Sequence, residues 1–324
     1  MIAAVFWPHS PHALRQLTLL SLKVVSSIAL FIMTAIASFA VNVTWKKTVW
    51  QGDPAWASTQ GSVKAVVTET RARLIYLGAS DGSLNLLNAP YPQALPGTTN
   101  PSPNQGGHRF WLGPQSRWAW PPPEEWEYSA SLDAKVEAGV LTLHHPRINQ
   151  SYPAITREYA WEGDRLRCTA LWPDNGQSYF GLHIVAVNTP FLLTARLEKS
   201  KSAPEGLVSA QMVGPAAPLH LPHPSITVEE QHATVRSGIK RVKLGFVPQP
   251  LTIERPHSWS LSMQPGPCSN ATNDSPDYGY LSQVWVGDAT HDVSELEQLT
   301  PYLKGDAKGL CSSTIYLAAT PPTP

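Results

Sequence analysis

Ile155-Thr156-Arg157-Glu158-Tyr159-Ala160-Trp161 and Arg165-Leu166-Arg167-Cys168-Thr169-Ala170-Leu171-Trp172 face each other across Glu162-Gly163-Asp164. In the second run Leu166, Cys168, Ala170 and Trp172 alternate with Arg165, Arg167 and Thr169. That period of two belongs to a strand with one buried and one wet face, and the three-residue turn makes the pair a hairpin. Working outward, short β-prone runs recur between turn residues. They lie at Val63–Thr68, Ala72–Gly78, Ser83–Leu87, Tyr179–Val187, Phe191–Leu197, Leu207–Val213, Ile226–Glu229, Ala233–Arg236, Ile239–Val247, Ser258–Met263, Tyr280–Val286 and Cys311–Ala318. Ala79-Ser80-Asp81-Gly82 joins the second and third of these as a further hairpin. No amphipathic helix of ordinary length interrupts them. The reading is an all-β chain with one large sandwich over 62–320 and a short tail at 321–324.

Composition supports strands over helices. The 324 residues include 31 prolines, which interrupt helices every few residues, and 12 tryptophans. Lys+Arg and Asp+Glu are equal at 24 each, so no basic excess exists to neutralise phosphates, and nucleic acid is excluded as a partner. Charged residues are 15% of the chain against the usual ~25%, while 42% are hydrophobic, enough to bury a core.

Residues 1–40 stand apart. Val24–Ala40 carries no charge and follows Arg15 and Lys23, as in a secretory signal cut after Ala40 or an uncleaved signal anchor. The protein is therefore expected outside the cytoplasm, periplasmic or secreted, touching a membrane only through this segment. Residues 41–61 are polar and read as a linker or an extended N-terminal arm. Of three cysteines, Cys268 and Cys311 are the expected pair in an oxidising compartment, with Cys168 left as a small buried hydrophobe. There is no CxxC, P-loop or GxSxG, so no metal and no cofactor are expected. Nothing in the sequence fixes an oligomeric state.

The densest chemistry lies in Gly106-Gly107-His108-Arg109-Phe110-Trp111-Leu112-Gly113-Pro114-Gln115, continuing to Trp118, Trp120 and Trp126. Paired glycines allow close backbone approach. His108 is titratable and Arg109 is a fixed cation. Flat indole rings suit the C–H faces of sugars, and Gln115, Arg109 and His108 suit hydroxyls. A neutral polyhydroxylated ligand fits this mixture. The alternative is that the tryptophans only cover a sheet end.

Arg73-Leu74-Ile75-Tyr76-Leu77, Asp81-Gly82 and Leu84-Asn85-Leu86-Leu87 resemble the opening of galactose mutarotase-like domains. Gly-Gly-His-Arg-Phe-Trp, followed by Pro-Gln and Trp-Pro-Pro, is similar to an uncharacterised branch of that superfamily with a GGHRLW-type motif. Glu295-Leu296-Glu297-Gln298-Leu299-Thr300-Pro301 resembles a strand near the end of such domains. The resemblance implies a β-supersandwich with a sugar-binding cleft on one concave sheet, in a superfamily whose best-known members are aldose 1-epimerases. Carried over by motif, it implies Glu297 as base, His108 as acid or hydroxyl ligand, and Arg73 or Arg109 as the cation orienting the sugar. His183 is implied as a second histidine, although its Gly-Leu-His-Ile context departs from the epimerase pattern. Gly107, Trp111, Gln115 and Trp118 complete the expected ligand contacts. The expected function is an exported carbohydrate-binding protein. The alternatives are an epimerase-type isomerase using Glu297 and His108, and a structural envelope protein with a vestigial cleft.

Overall fold

Two antiparallel sheets divide the strands between them. A computed structural model describes residues 44–90, 106–118, 122–127, 133–145, 152–210, 216–255, 258–288, 290 and 293–322, all within one unit spanning 43–324. The larger sheet runs β1 (Lys46–Trp50), β2 (Asp53–Gln60), β3 (Val63–Thr68), β4 (Arg73–Ala79), β5 (His108–Gly113), β10 (Phe180–Asn188), β20 (Val293–Leu299), β19 (Ser282–Val286), β16 (Val242–Phe246), β12 (Val208–Ser209), β13 (Ala217–Pro218). The smaller runs β14 (Ile226–Glu229), β15 (His232–Arg236), β11 (Leu192–Arg196), β17 (Leu251–Glu254), β18 (Ser260–Cys268), β21 (Leu310–Thr320), β9 (Arg165–Pro173), β8 (Thr156–Glu162), β7 (Val140–His144), β6 (Asp133–Glu137). The 155–172 hairpin is β8–β9, with Gly163 at φ +64 in its turn.

Alternation sets the core. Val185, Val187, Val284, Leu244 and Leu296 from the larger sheet meet Leu166, Cys168, Met263, Ile315 and Leu317 from the smaller. Strands send every second side chain into this layer, and most of the inward residues are apolar.

Several expectations change. Residues 46–60, read as linker or arm, form the β1–β2 hairpin at the edge of the larger sheet. Their polarity is that of an edge strand, whose outer side needs solvent and charge instead of a partner. Within 106–126, read as a ligand platform, 108–113 is a fully buried strand. Cys268 and Cys311 are not joined: Cys268 lies opposite Ser313 and Cys311 opposite Trp172, and all three cysteines are free. The apolar run 24–40 lies outside the described residues. Among those described, no helix is long and apolar enough to cross a membrane.

Arg157 ties the layers at the end of the sandwich that carries β5. From β8 it reaches across, its Nη1 donating to the Ala72 carbonyl at 3.2 Å and its Nη2 to the carbonyls of Phe110 at 3.3 Å and Trp126 at 2.9 Å. Trp126 belongs to the single helical turn α1 (Glu124–Glu127), so one guanidinium positions the start of β4, the middle of β5 and the turn that covers them. Arg157→Leu leaves three buried carbonyls without this donor. We expect a loss of about 3–5 kcal/mol in urea unfolding; a loss within 1 kcal/mol, on the scale of an ordinary surface change, would refute this role.

Candidate functional site

Directly opposed residues on antiparallel strands project to the same face, and neighbours along a strand project to opposite faces. This rule sorts the expected site residues. Val185 is in the core, and it lies opposite His108; His183 lies two residues from Val185 and opposite Phe110. Both histidines therefore point between the sheets. Arg109 lies opposite Ile184, which lies opposite Glu297, which lies opposite Gln283. Those side chains occupy the outer face of the larger sheet, together with Glu295, Trp285 and Lys243, which are also mutual cross-strand partners. The candidate base Glu297 and the candidate acid His108 are on opposite faces and cannot act on one substrate.

The outer face is a set of closed ion pairs. Arg109 pairs with Glu295, and Arg73 with Glu127 of α1. Glu127 also accepts from the Trp111 indole at 2.5 Å. Lys243 Nζ lies 2.7 Å from Glu297 Oε2. Gln283 donates to Asp277 at 2.5 Å and to the Tyr280 carbonyl at 3.1 Å. Burial lowers Arg73 to about 10 despite the pull of Glu127. Burial likewise pushes the Glu297 carboxyl up, with Lys243 opposing and Glu295 reinforcing the shift. Arg73, Arg109 and Lys243 are balanced by Glu127, Glu295 and Glu297, so these six groups leave no net charge.

The tryptophans sort differently from the expectation. Trp111, Trp118 and Trp126 are each at most 6% exposed. They pack edge to face in sequence, with centroids 5.6 Å and 5.9 Å apart, and the Trp118 indole donates to the Leu112 carbonyl at 2.7 Å. Gln115 opens a one-turn 3-10 helix at Gln115–Arg117 beside them. This cluster covers a sheet end and offers no open ring, while Trp120 lies outside the described residues. Gly107, at φ +69, is tight for a different reason: a Cβ there would sit 2.4 Å from the Leu74 carbonyl oxygen. A half-buried ring on the polar face is Trp285, between Glu295 and Lys243. Sequence reasoning missed Trp285, Lys243, Gln283 and Glu127. Alternation along 282–286 and 242–246 carries the signal for the first three, but only the sheet order puts them beside Glu297.

Inside the sandwich, the histidines form a relay. His108 Nε2 lies 3.0 Å from His183 Nδ1, the rings stack at an interplanar angle of 9°, and His183 Nε2 lies 3.0 Å from Ser313 Oγ. If His108 donates to His183 and His183 to Ser313, every N–H is paired and only a lone pair on His108 Nδ1 lacks a partner among the described residues. Burial holds both neutral: His183 falls to about 3, and His108 lies well below its usual value, depressed further by His183. An unfolded chain takes up these protons near pH ~6.5. Native stability from this pair is therefore complete above that pH and is lost as pH falls through the interval toward 3. We expect a loss of about 2 kcal/mol per imidazole between pH ~7 and ~5. The double variant His108→Gln/His183→Gln should flatten that slope in urea titrations; an unchanged slope would show that the pair is not held neutral.

No sequence-family profile matches the chain, and no curated protein matches it in sequence. Solved structures do match in fold. A protein from Escherichia coli K12, provisionally assigned as an aldose 1-epimerase, superposes with a TM-score of 0.52 at 12% identity, covering 82% of this chain and 98% of that one. A mutarotase candidate from Salmonella typhimurium gives 0.50 at 10% identity, over 90% and 99% of the two chains. A galactose mutarotase-like protein from Lactobacillus casei gives 0.50 at 12% identity, over 82% and 99%. With its two antiparallel sheets and this coverage of whole neighbouring chains, the protein has the galactose mutarotase-like β-supersandwich fold.

Proposed function

We propose that this chain is an exported carbohydrate-binding protein, recognising a neutral sugar or glycan on the outer face of its larger sheet. The observation that carries the reading is the separation of the two faces. The outer face gathers Arg109–Glu295, Lys243–Glu297 and Trp285, a mixture of hydrogen-bonding groups and an aromatic ring. The histidines that would supply acid chemistry are sealed on the inner face. With the ionic groups already neutralised by one another, the ligand that costs least to accept is one that brings hydroxyls and no charge. The uncharged run 24–40 supports export to an extracytoplasmic, periplasmic or secreted location, with the membrane reached only through that segment.

Trp285→Ala should weaken glycan binding about tenfold, the scale of ~1.4 kcal/mol for a lost ring contact, with no change in thermal unfolding. NMR of the bound sugar should show anomers exchanging no faster than in buffer. A second reading, epimerase-type isomerisation, draws on the burial-raised carboxyl of Glu297. It takes over if exchange is accelerated and Glu297→Gln abolishes that acceleration while binding persists. Absence of binding to every glycan on an array would remove both readings.

A further inference from the structure

The outer face has a second feature, four strand positions from Glu297, where a cavity of about 200 Å³ is lined by Trp50, Gln51, Thr68, Ile75, Tyr76 and Asn85, among others. Its origin is a local defect in the ladder. The register of β3 against β4 slips between Val66 and Val67, which makes Ile75 an extra residue in β4. Beyond this bulge, β4 keeps only one paired position with β5, Leu74 opposite His108. Asn85 replaces the missing ladder: its Oδ1 accepts from the amides of Leu77 and Leu87, each at 3.1 Å, and its Nδ2 donates to the Ile75 carbonyl at 2.8 Å. The bulge and this amide plug hold open a pocket that regular pairing would close.

The chemistry of the lining is specific. Trp50 and Tyr76 present rings 5.2 Å apart at 54°. Lys64 sits over both, 5.2 Å and 6.0 Å from their centroids. The Tyr76 hydroxyl is spent on the Ala79 and Leu84 carbonyls, at 2.6 and 2.8 Å, so Tyr76 offers its ring and not its hydroxyl. Gln51 is exposed and held in the left-handed region at φ +49, followed by Gly52 at φ +96, at the tip of the β1–β2 hairpin. A non-glycine residue kept at positive φ carries backbone strain that a glycine there would not. Two aromatic rings beside the polar side chains of Gln51, Thr68 and Asn85, around the volume of a single ring, suit the flat face and hydroxyl edge of one pyranose.

We infer that this cavity is a second saccharide subsite, taking one neutral pyranose ring against Trp50 and Tyr76, with Gln51 at its hydroxyl edge. It lies on the same face as the Trp285 strip, because Thr68 and Arg73 are cross-strand partners and Leu74, next to Arg73, lies opposite His108, next to Arg109. From Thr68 in β3 to Glu297 in β20 there are four steps of strand spacing, or roughly 19 Å. The two sites are therefore separate, and a single sugar ring fills only one. The choice of a sugar as ligand rests on the function proposed above; the cavity and its lining do not.

The test uses the full-length protein on an array of neutral mono- to hexasaccharides, comparing wild type with Trp50→Ala, Gln51→Gly and Trp285→Ala. The expected result is a loss of about tenfold in affinity for Trp50→Ala on glycans that Trp285→Ala still retains in part. Gln51→Gly relieves the positive φ, so it should hold or raise the melting temperature while lowering affinity. That pairing separates a binding role from a folding defect. Trp50→Ala and Gln51→Gly profiles identical to wild type would overturn the inference and leave the Trp285 strip standing. Loss only in Trp50→Ala and Gln51→Gly would support the cavity and remove the strip. No wild-type binding to any glycan would overturn both.

Discussion

Adjacent side chains on a strand leave it on opposite sides, and everything functional in this molecule follows from that constraint acting on β5, β10 and β20. His108 and Arg109 are neighbours in sequence, yet one faces Tyr159 in the core and the other faces Glu295 on the outer surface. The pairing of β10 with both neighbours extends the division across the sheet, setting His183 inward, and Arg109, Glu297 and Gln283 outward. A one-residue slip in any of these registers would invert the assignment, but it would also drive Val185, Leu296 and Val284 out of the core. The hydrophobic layer therefore holds the polar face in place.

Energetics decides what each face can do. Charges taken from water cost several kcal/mol each unless they are paired, and Arg73, Arg109 and Glu297 are almost wholly buried. Each meets an opposite charge two strands away or on α1, so the face is polar without being a strong field. A charged ligand would have to break a buried pair and leave its partner uncompensated, whereas hydroxyl groups can hydrogen-bond to the edges of intact pairs. The inner face follows the opposite rule: there the only way to bury two imidazoles is to keep them neutral and let each satisfy the other.

The all-β architecture was legible because alternation and turn residues are local. Val63–Thr68 and Ile226–Glu229 stand in the structure where the sequence pattern puts them, and β8–β9 begins and ends within one residue of expectation. The superfamily motifs also led to the right fold. What misled was polarity read without register. Lys46–Gln60 looked like a linker because an edge strand exposes one side and borrows its partner's hydrogen bonds on the other. Gly106–Trp111 looked like part of a ligand platform because its histidine, arginine and tryptophan were taken together. Read as a strand, the same six residues cannot all face one ligand. The partners that complete the outer face, Lys243 from β16 and Trp285 from β19, arrive through sheet order, which no local pattern encodes.

Fold alone does not decide the reaction of this chain. The neighbours share its sandwich at 12% identity or less, a level at which architecture persists and the chemistry of a site must be argued from its own side chains. Ring-opening isomerisation needs a base and an acid on the same side of one sugar. Here the buried carboxylate of Glu297 has Lys243 as its direct ionic partner, and the imidazoles are on the far side of the sheet. An ammonium locked to the carboxylate neutralises the group that would take the proton, and no described histidine on that face can return it.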